Sequence, residues 1–82
     1  MRIKTLPLVE VHWIDSAFHR GWSDTDTKRK EMCVSECRSI GYLMSRDRYV
    51  LKLAMHTADD GKNYGDGISI PASTVKNVRR LK

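Results

Sequence analysis

At 82 residues the chain is long enough for one domain and too short for two, so residues 1–82 are read as a single unit. It is 40% hydrophobic and 30% charged, which excludes a disordered polar chain, and no apolar run nears the roughly 20 residues that cross a bilayer. Fifteen Lys and Arg against ten Asp and Glu leave a net charge of +5. That balance favours anionic partners such as a nucleotide or nucleic acid, and it is also ordinary for solubility alone.

The first stretch, Met1 to Pro7, has basic residues with no apolar run behind them and is not read as a secretory signal. From Leu8 to Ile14 the residues alternate, with Val9, Val11 and Trp13 on one face and Glu10 and His12 on the other, as in a half-buried strand. Asp15 and Ser16 stop that strand as turn formers. Ala17 to Trp22 reads as a loop, with Gly21 supplying backbone freedom. The sequence Ser23-Asp24-Thr25-Asp26 offers several N-caps for a short helix through Lys28-Arg29-Lys30-Glu31-Met32.

Val34 to Met44 is predicted extended, and Arg46-Asp47 is the tip of a hairpin. Tyr49, Leu51, Leu53 and Met55 then alternate with Arg48, Val50, Lys52 and Ala54 in the clearest strand of the chain, which puts Tyr49 with Trp13 in the core. Residues 59–67 read as a long polar loop rich in turn residues. Ile68-Ser69-Ile70 is a short strand that Pro71 ends. Ala72-Ser73-Thr74 makes one tight turn, and Val75 to Leu81 closes the chain as a strand with Val78 and Leu81 inward. The expected fold is mainly β with one short helix, its five short strands curled into a small, partly open barrel. Its modest core and its strand edges point to a homo-oligomer.

Motifs for catalysis and cofactors are missing. There is neither a GxGxxG nor a P-loop, and Asp15-Ser16 beside His12 or His19 lacks the nucleophile elbow that a triad of this kind would use. Cys33 and Cys37 form one pair without a second, so neither a zinc knuckle nor a disulfide framework is expected, and the compartment is a reducing cytoplasm. The acidic segment Asp59-Asp60-Gly61-Lys62-Asn63 has a glycine where a calcium loop needs an oxygen donor, and no closing glutamate. No cofactor, no metal, no membrane and no enzymatic activity are expected.

What remains is binding chemistry. Trp22 follows Gly21 in a polar loop beside Arg20, outside any apolar period, and Tyr64 stands similarly between Asn63 and Gly65. An aromatic next to an Arg can hold a base and its phosphate; it can equally be a lid over the core or a subunit contact. Lys76, Arg79, Arg80 and Lys82 at the end of the chain, and Lys28-Arg29-Lys30 on the helix, could meet phosphates, or form a solvated face.

Two resemblances add to this. Gly41-Tyr42-Leu43, Asp47 to Leu53, Ile68-Ser69-Ile70-Pro71 and Val75-Lys76-Asn77-Val78 resemble, in order, the strands of the Sm-like small barrel, although the helix here comes second. That resemblance implies RNA or DNA binding, for which Lys76, Arg79 and Arg80 are the candidates. Val11-His12-Trp13-Ile14-Asp15-Ser16, Gly21-Trp22, Ser39-Ile40-Gly41-Tyr42-Leu43, Tyr49-Val50-Leu51, Gly65-Asp66 and Ile70-Pro71-Ala72-Ser73 resemble small proteins of bacteriophages and prophages. This second resemblance implies the cytoplasm of an infected bacterium and a role against host defence. The leading expectation is a non-enzymatic oligomer that sequesters a nucleotide-derived signal between subunits. Its ligand-binding candidates are Asp15, Ser16, Arg20, Trp22, Tyr64 and Asp66. The alternatives are an Sm-like nucleic-acid binder and a protein-protein inhibitor of a host defence enzyme.

Overall fold

The computed structural model of the protein describes residues 5–81; Met1 to Lys4 of the first stretch, and Lys82 of the basic tail, lie outside the described residues. The elements run in the order β1 (Leu8–Asp15), α1 (Thr25–Glu31), β2 (Ser35–Arg46), β3 (Val50–Ala58), β4 (Asn63–Pro71) and β5 (Val75–Arg80), with a 3-10 turn at Ala72–Thr74. The strands form one antiparallel sheet in the order β4-β3-β2-β1-β5. The protein is mainly β with one short helix, as its alternating segments predict.

The alternation in β1 decides which way the sheet faces. Val9, Val11 and Trp13 are buried, while the residues between them are only partly covered. Leu51 and Leu53 of β3 and Ile70 of β4 join them in a single core cluster, with Cys37, Leu43, Val75 and Val78 packed against it. In a flat sheet β1 and β4 would stand three strand spacings apart, about 14 Å. Their side chains share one core because the sheet curls toward a small, partly open barrel.

The curl is made in β2. Its residues from Ser35 to Tyr42 pair with β1, and those from Tyr42 to Arg46 pair with β3, across a register shift between Leu43 and Ser45. An irregularity of this kind bends a strand and raises its twist. Gly41 lies just before the shift, buried, and a Cβ there would stand 2.7 Å from the Ala54 carbonyl oxygen and 3.2 Å from Leu53 Cβ. The crossing needs a residue without a side chain. Gly41→Ala is therefore expected to cost about 1–3 kcal/mol, as overpacking against backbone does. Urea unfolding measures it, and an unchanged midpoint would mean that β2 passes β3 less closely.

Two expectations are corrected. Residues 59–67 are not one loop, since the reversal is complete by Lys62 and β4 begins at Asn63. Asp59 and Asp60 adopt φ 54 and Gly61 φ 85, so the turn takes few residues, and the Gly-rich stretch after it is a strand. Tyr49 is not in the core. It is 68% exposed on the β2–β3 turn, where the Asp47 carboxylate accepts the backbone N–H groups of Tyr49 and Val50 at 2.7 and 2.9 Å. Those bonds, Val50's first and Tyr49's next, hold the Asp47 carboxyl below its ordinary value.

Past Tyr42 and Ala54 the sheet divides. The first part of β2 pairs only with β1, and the last part of β3, from His56 to Ala58, pairs only with β4. Between the two ribbons the barrel has an open mouth of about 390 Å³, lined by Arg38, Ser39, Ile40, Leu53, Met55 and Ile68. The ribbon of β1 and β2 carries residues 16–34 at its far end as an arm. The radius of gyration is accordingly 17.0 Å, with extents of 63 × 21 × 21 Å, against roughly 12 Å for a compact domain of this length.

Candidate functional site

The arm is ordered by its own polar groups. Asp24 caps α1, its carboxylate accepting the Thr27 hydroxyl at 2.7 Å and the Thr27 amide N–H at 3.0 Å. The Lys28 ammonium reaches back across the loop and donates to the carbonyl oxygens of Gly21, Arg20 and His19 at 2.8, 3.3 and 3.5 Å. Gly21, at φ 89, lets the chain wrap around that ammonium. At the base, His19 Nε2 accepts the Cys33 backbone N–H at 3.3 Å, with Cys33 Sγ 3.8 Å away.

These bonds fix the backbone on either side of Trp22 and leave its side chain in water. Trp22 is 100% exposed, so within one chain it is no lid over the core. Arg20 is exposed as well, and its guanidinium makes no hydrogen bond or ion pair among the described residues. Asp15 and Ser16 are at the foot of the same arm, where the Asp15 carboxylate accepts the Ser16 N–H at 2.8 Å and turns the chain out of β1. Three of the six ligand candidates, Ser16, Arg20 and Trp22, thus belong to one projecting element, with Asp15 at its foot. Lys28, part of the basic cluster considered for phosphates, is spent on backbone carbonyls.

Tyr64 and Asp66 are elsewhere. Both lie on β4, at the opposite edge of the sheet. The Tyr64 hydroxyl accepts the Leu6 N–H at 3.0 Å, and its ring meets Tyr42 edge-on at 5.7 Å; both contacts are structural. Asp66, at φ 52, pairs with His56 at 3.1 Å. They border a depression of about 410 Å³ along β3 and β4, which Lys52 and Met44 also line.

The basic tail is partly paired with acids. Glu10 Oε1 accepts Arg79 at 3.3 Å and Arg38 at 3.4 Å, across three neighbouring strands. Lys76 lies 3.6 Å from Glu36, which also meets His12 at 3.2 Å, and Arg80 is engaged too. Acids threaded between the cations lower the positive potential that a phosphate backbone would meet.

Two features escaped the sequence. His19 and Cys33 approach from opposite sides of α1, so no spacing pattern joins them; they make two of the four donors of a structural zinc site, and among the described residues no group of three or more His, Cys, Asp or Glu is placed to hold a metal. Arg48 stacks 4.7 Å over the Tyr49 ring, an exposed cation–π pair hidden by the period-two pattern that counted Tyr49 as core.

The Asp24 cap gives the arm a pH dependence of known sign. Hydrogen bonds from the Thr27 hydroxyl and then its N–H lower the carboxyl from its ordinary 3.8. A lowered acid stabilises the fold above its unfolded value and loses that contribution as pH falls through the folded one. Below about pH 4 the Thr27 amide should therefore lose protection from hydrogen exchange. In Asp24→Asn, which still caps but does not titrate in this range, that acid step should vanish.

Fold and site together define a small open β-barrel protein with a self-braced, aromatic-tipped arm. No family model matches the chain, and neither a curated protein nor a solved structure matches it. Among the described residues no helix is long and apolar enough to cross a membrane.

Proposed function

We propose that the protein is a binding protein, not an enzyme, and that it captures a nucleotide-like anion on the Arg20–Trp22 segment, within a small oligomer whose neighbouring subunit completes the pocket. One observation carries this reading. The Trp22 indole is wholly in solvent on a backbone that Lys28 holds at three carbonyls. Bracing a loop in this way lowers the ordering cost of a later association. An indole offers a stacking face to any base, and the adjacent guanidinium, unpaired among the described residues, offers a charge-assisted bond to its phosphate. The phage-protein resemblance supplies the setting, the cytoplasm of an infected bacterium, where removing a nucleotide-derived defence signal would need binding alone.

A panel of mono-, di- and cyclic nucleotides tests the proposal in thermal melts. A ligand at a hundred times its Kd raises stability by about 2.7 kcal/mol, which is about 10–20 °C for a domain of this size. The reading fails if no nucleotide at millimolar concentration moves the melt.

The second reading is nucleic-acid binding, and the exposed Arg48–Tyr49 pair is the observation that favours it. It requires affinity for RNA or DNA that falls steeply with salt. The acids paired with Lys76 and Arg79 count against the tail as its seat.

A further inference from the structure

We infer that the open barrel mouth is an interface between two copies of this chain, and that each copy's arm packs its apolar base into the mouth of the other. The inference rests on the oligomer proposed above and names its contact surface.

Three observations lead there. The first is area. The chain exposes 6645 Å², about a third more than the roughly 5,000 Å² of a folded monomer of its mass. Phe18 is 88% exposed, with Val34 at 60% and Met32 at 58% on the arm, and Met55 at 59%, Ile40 at 53% and Ile68 at 38% around the mouth. A standard interface buries about 800 Å² per partner, and an aromatic side chain alone supplies about 150–250 Å². Arm and mouth together offer apolar surface on that scale.

The second is that neither part is finished within one chain. The helix α1 has seven residues and buries none of them, whereas isolated helices shorter than about 12 residues are marginal in water and draw their stability from packing. The mouth has two uncovered strand edges, since β2 before Tyr42 and β3 beyond Ala54 each pair on one side only. Such edges are normally covered or paired.

The third is charge. The helix presents Lys30, and Arg29, which pairs only loosely with Asp26 at 3.9 Å, and the turn at the end of the β3–β4 ribbon that borders the mouth carries Asp59 and Asp60. A second copy, approaching about a two-fold axis, brings basic arm to acidic tip twice, as an isologous contact requires. Trp22 lies beyond the apolar base of the arm and stays at the rim of the contact, where a ligand could reach it.

Sedimentation and labelled mixing test this with Phe18→Asp and Met55→Asp, both at exposed positions, so that each variant should keep the native circular dichroism. The wild type should be a dimer at micromolar concentration, and each variant alone should weaken association about tenfold or more. Mixed, the two variants should form a heterodimer more readily than either self-associates, because one intact arm meets one intact mouth. A wild-type monomer, a dimer indifferent to both substitutions, or no gain on mixing would each overturn the inference. Should one variant fail to fold, Ile40→Lys or Val34→Asp replaces it on the same side of the contact. Nucleotide melts on the same samples separate the two proposals: a dimer that binds no nucleotide refutes the ligand and keeps the interface, and a nucleotide-binding monomer refutes the interface and the intersubunit pocket and keeps Arg20 and Trp22 as the ligand contacts.

Discussion

Trp13→Ala is expected to lose about 3–5 kcal/mol of folding stability, the usual cost of emptying a buried tryptophan site. For a domain of this size that is a large part of the margin, which at roughly 0.05–0.15 kcal/mol per residue is about 4–12 kcal/mol. Trp13 is 9% exposed, shares the core with Val11, Leu51 and Leu53, and donates its indole N–H to the Ser39 hydroxyl at 3.0 Å. Its removal opens a cavity and takes away that hydrogen bond. The core holds few other side chains, so little can move in to fill the space. Chemical denaturation of the variant should show a midpoint moved strongly toward zero denaturant. A loss under about 1 kcal/mol would mean that the barrel closes over the site.

Trp22→Ala is expected to do the opposite. It should leave the melting temperature of the unliganded monomer unchanged, because its ring touches nothing that folding buries. It should cost about 1–3 kcal/mol of nucleotide affinity, the value of one base stacked on an aromatic ring. Arg20→Ala should cost a similar amount, about 1.5–3 kcal/mol, as a lost hydrogen bond to a charged group. Titration calorimetry of the two variants beside the wild type reads both. If Trp22→Ala binds nucleotides as the wild type does, the arm is not the ligand site. If it melts far below the wild type at low protein concentration, the indole packs within its own chain.

The two tryptophans also mark how far the sequence could be read. Trp13 was legible because Val9, Val11 and Trp13 keep strict alternation, and alternation has a direct physical cause in the pleat. The same rule misassigned Tyr49, which continues the period of Leu51 and Leu53 but falls on the turn that Asp47 caps. Periodicity gives no warning where a strand ends. The β4 segment from Asn63 to Gly67 was missed for a related reason. Its glycines and aspartates look like turn residues, yet positive φ at Asp59, Asp60 and Gly61 completes the turn earlier. Trp22 and Arg20 stood out as residues that no periodic pattern needed. Tyr64 had the same local setting, but its contacts to Tyr42 and Leu6 are far apart in sequence, and no local pattern encodes them. The Cys33–His19 contact is of that kind too.

The measurement closest to the central proposal is an NMR titration of the two tryptophan indole N–H resonances with nucleotides. The Trp13 signal should be protected from exchange by burial and by its bond to Ser39, and the Trp22 signal should exchange freely, so the two can be told apart without a mutation. Addition of the bound nucleotide should shift the Trp22 indole, saturably and with one ligand per site, and leave Trp13 in place. A nucleotide that binds while the Trp22 resonance stays fixed would contradict the proposal that the arm is where this protein holds its ligand.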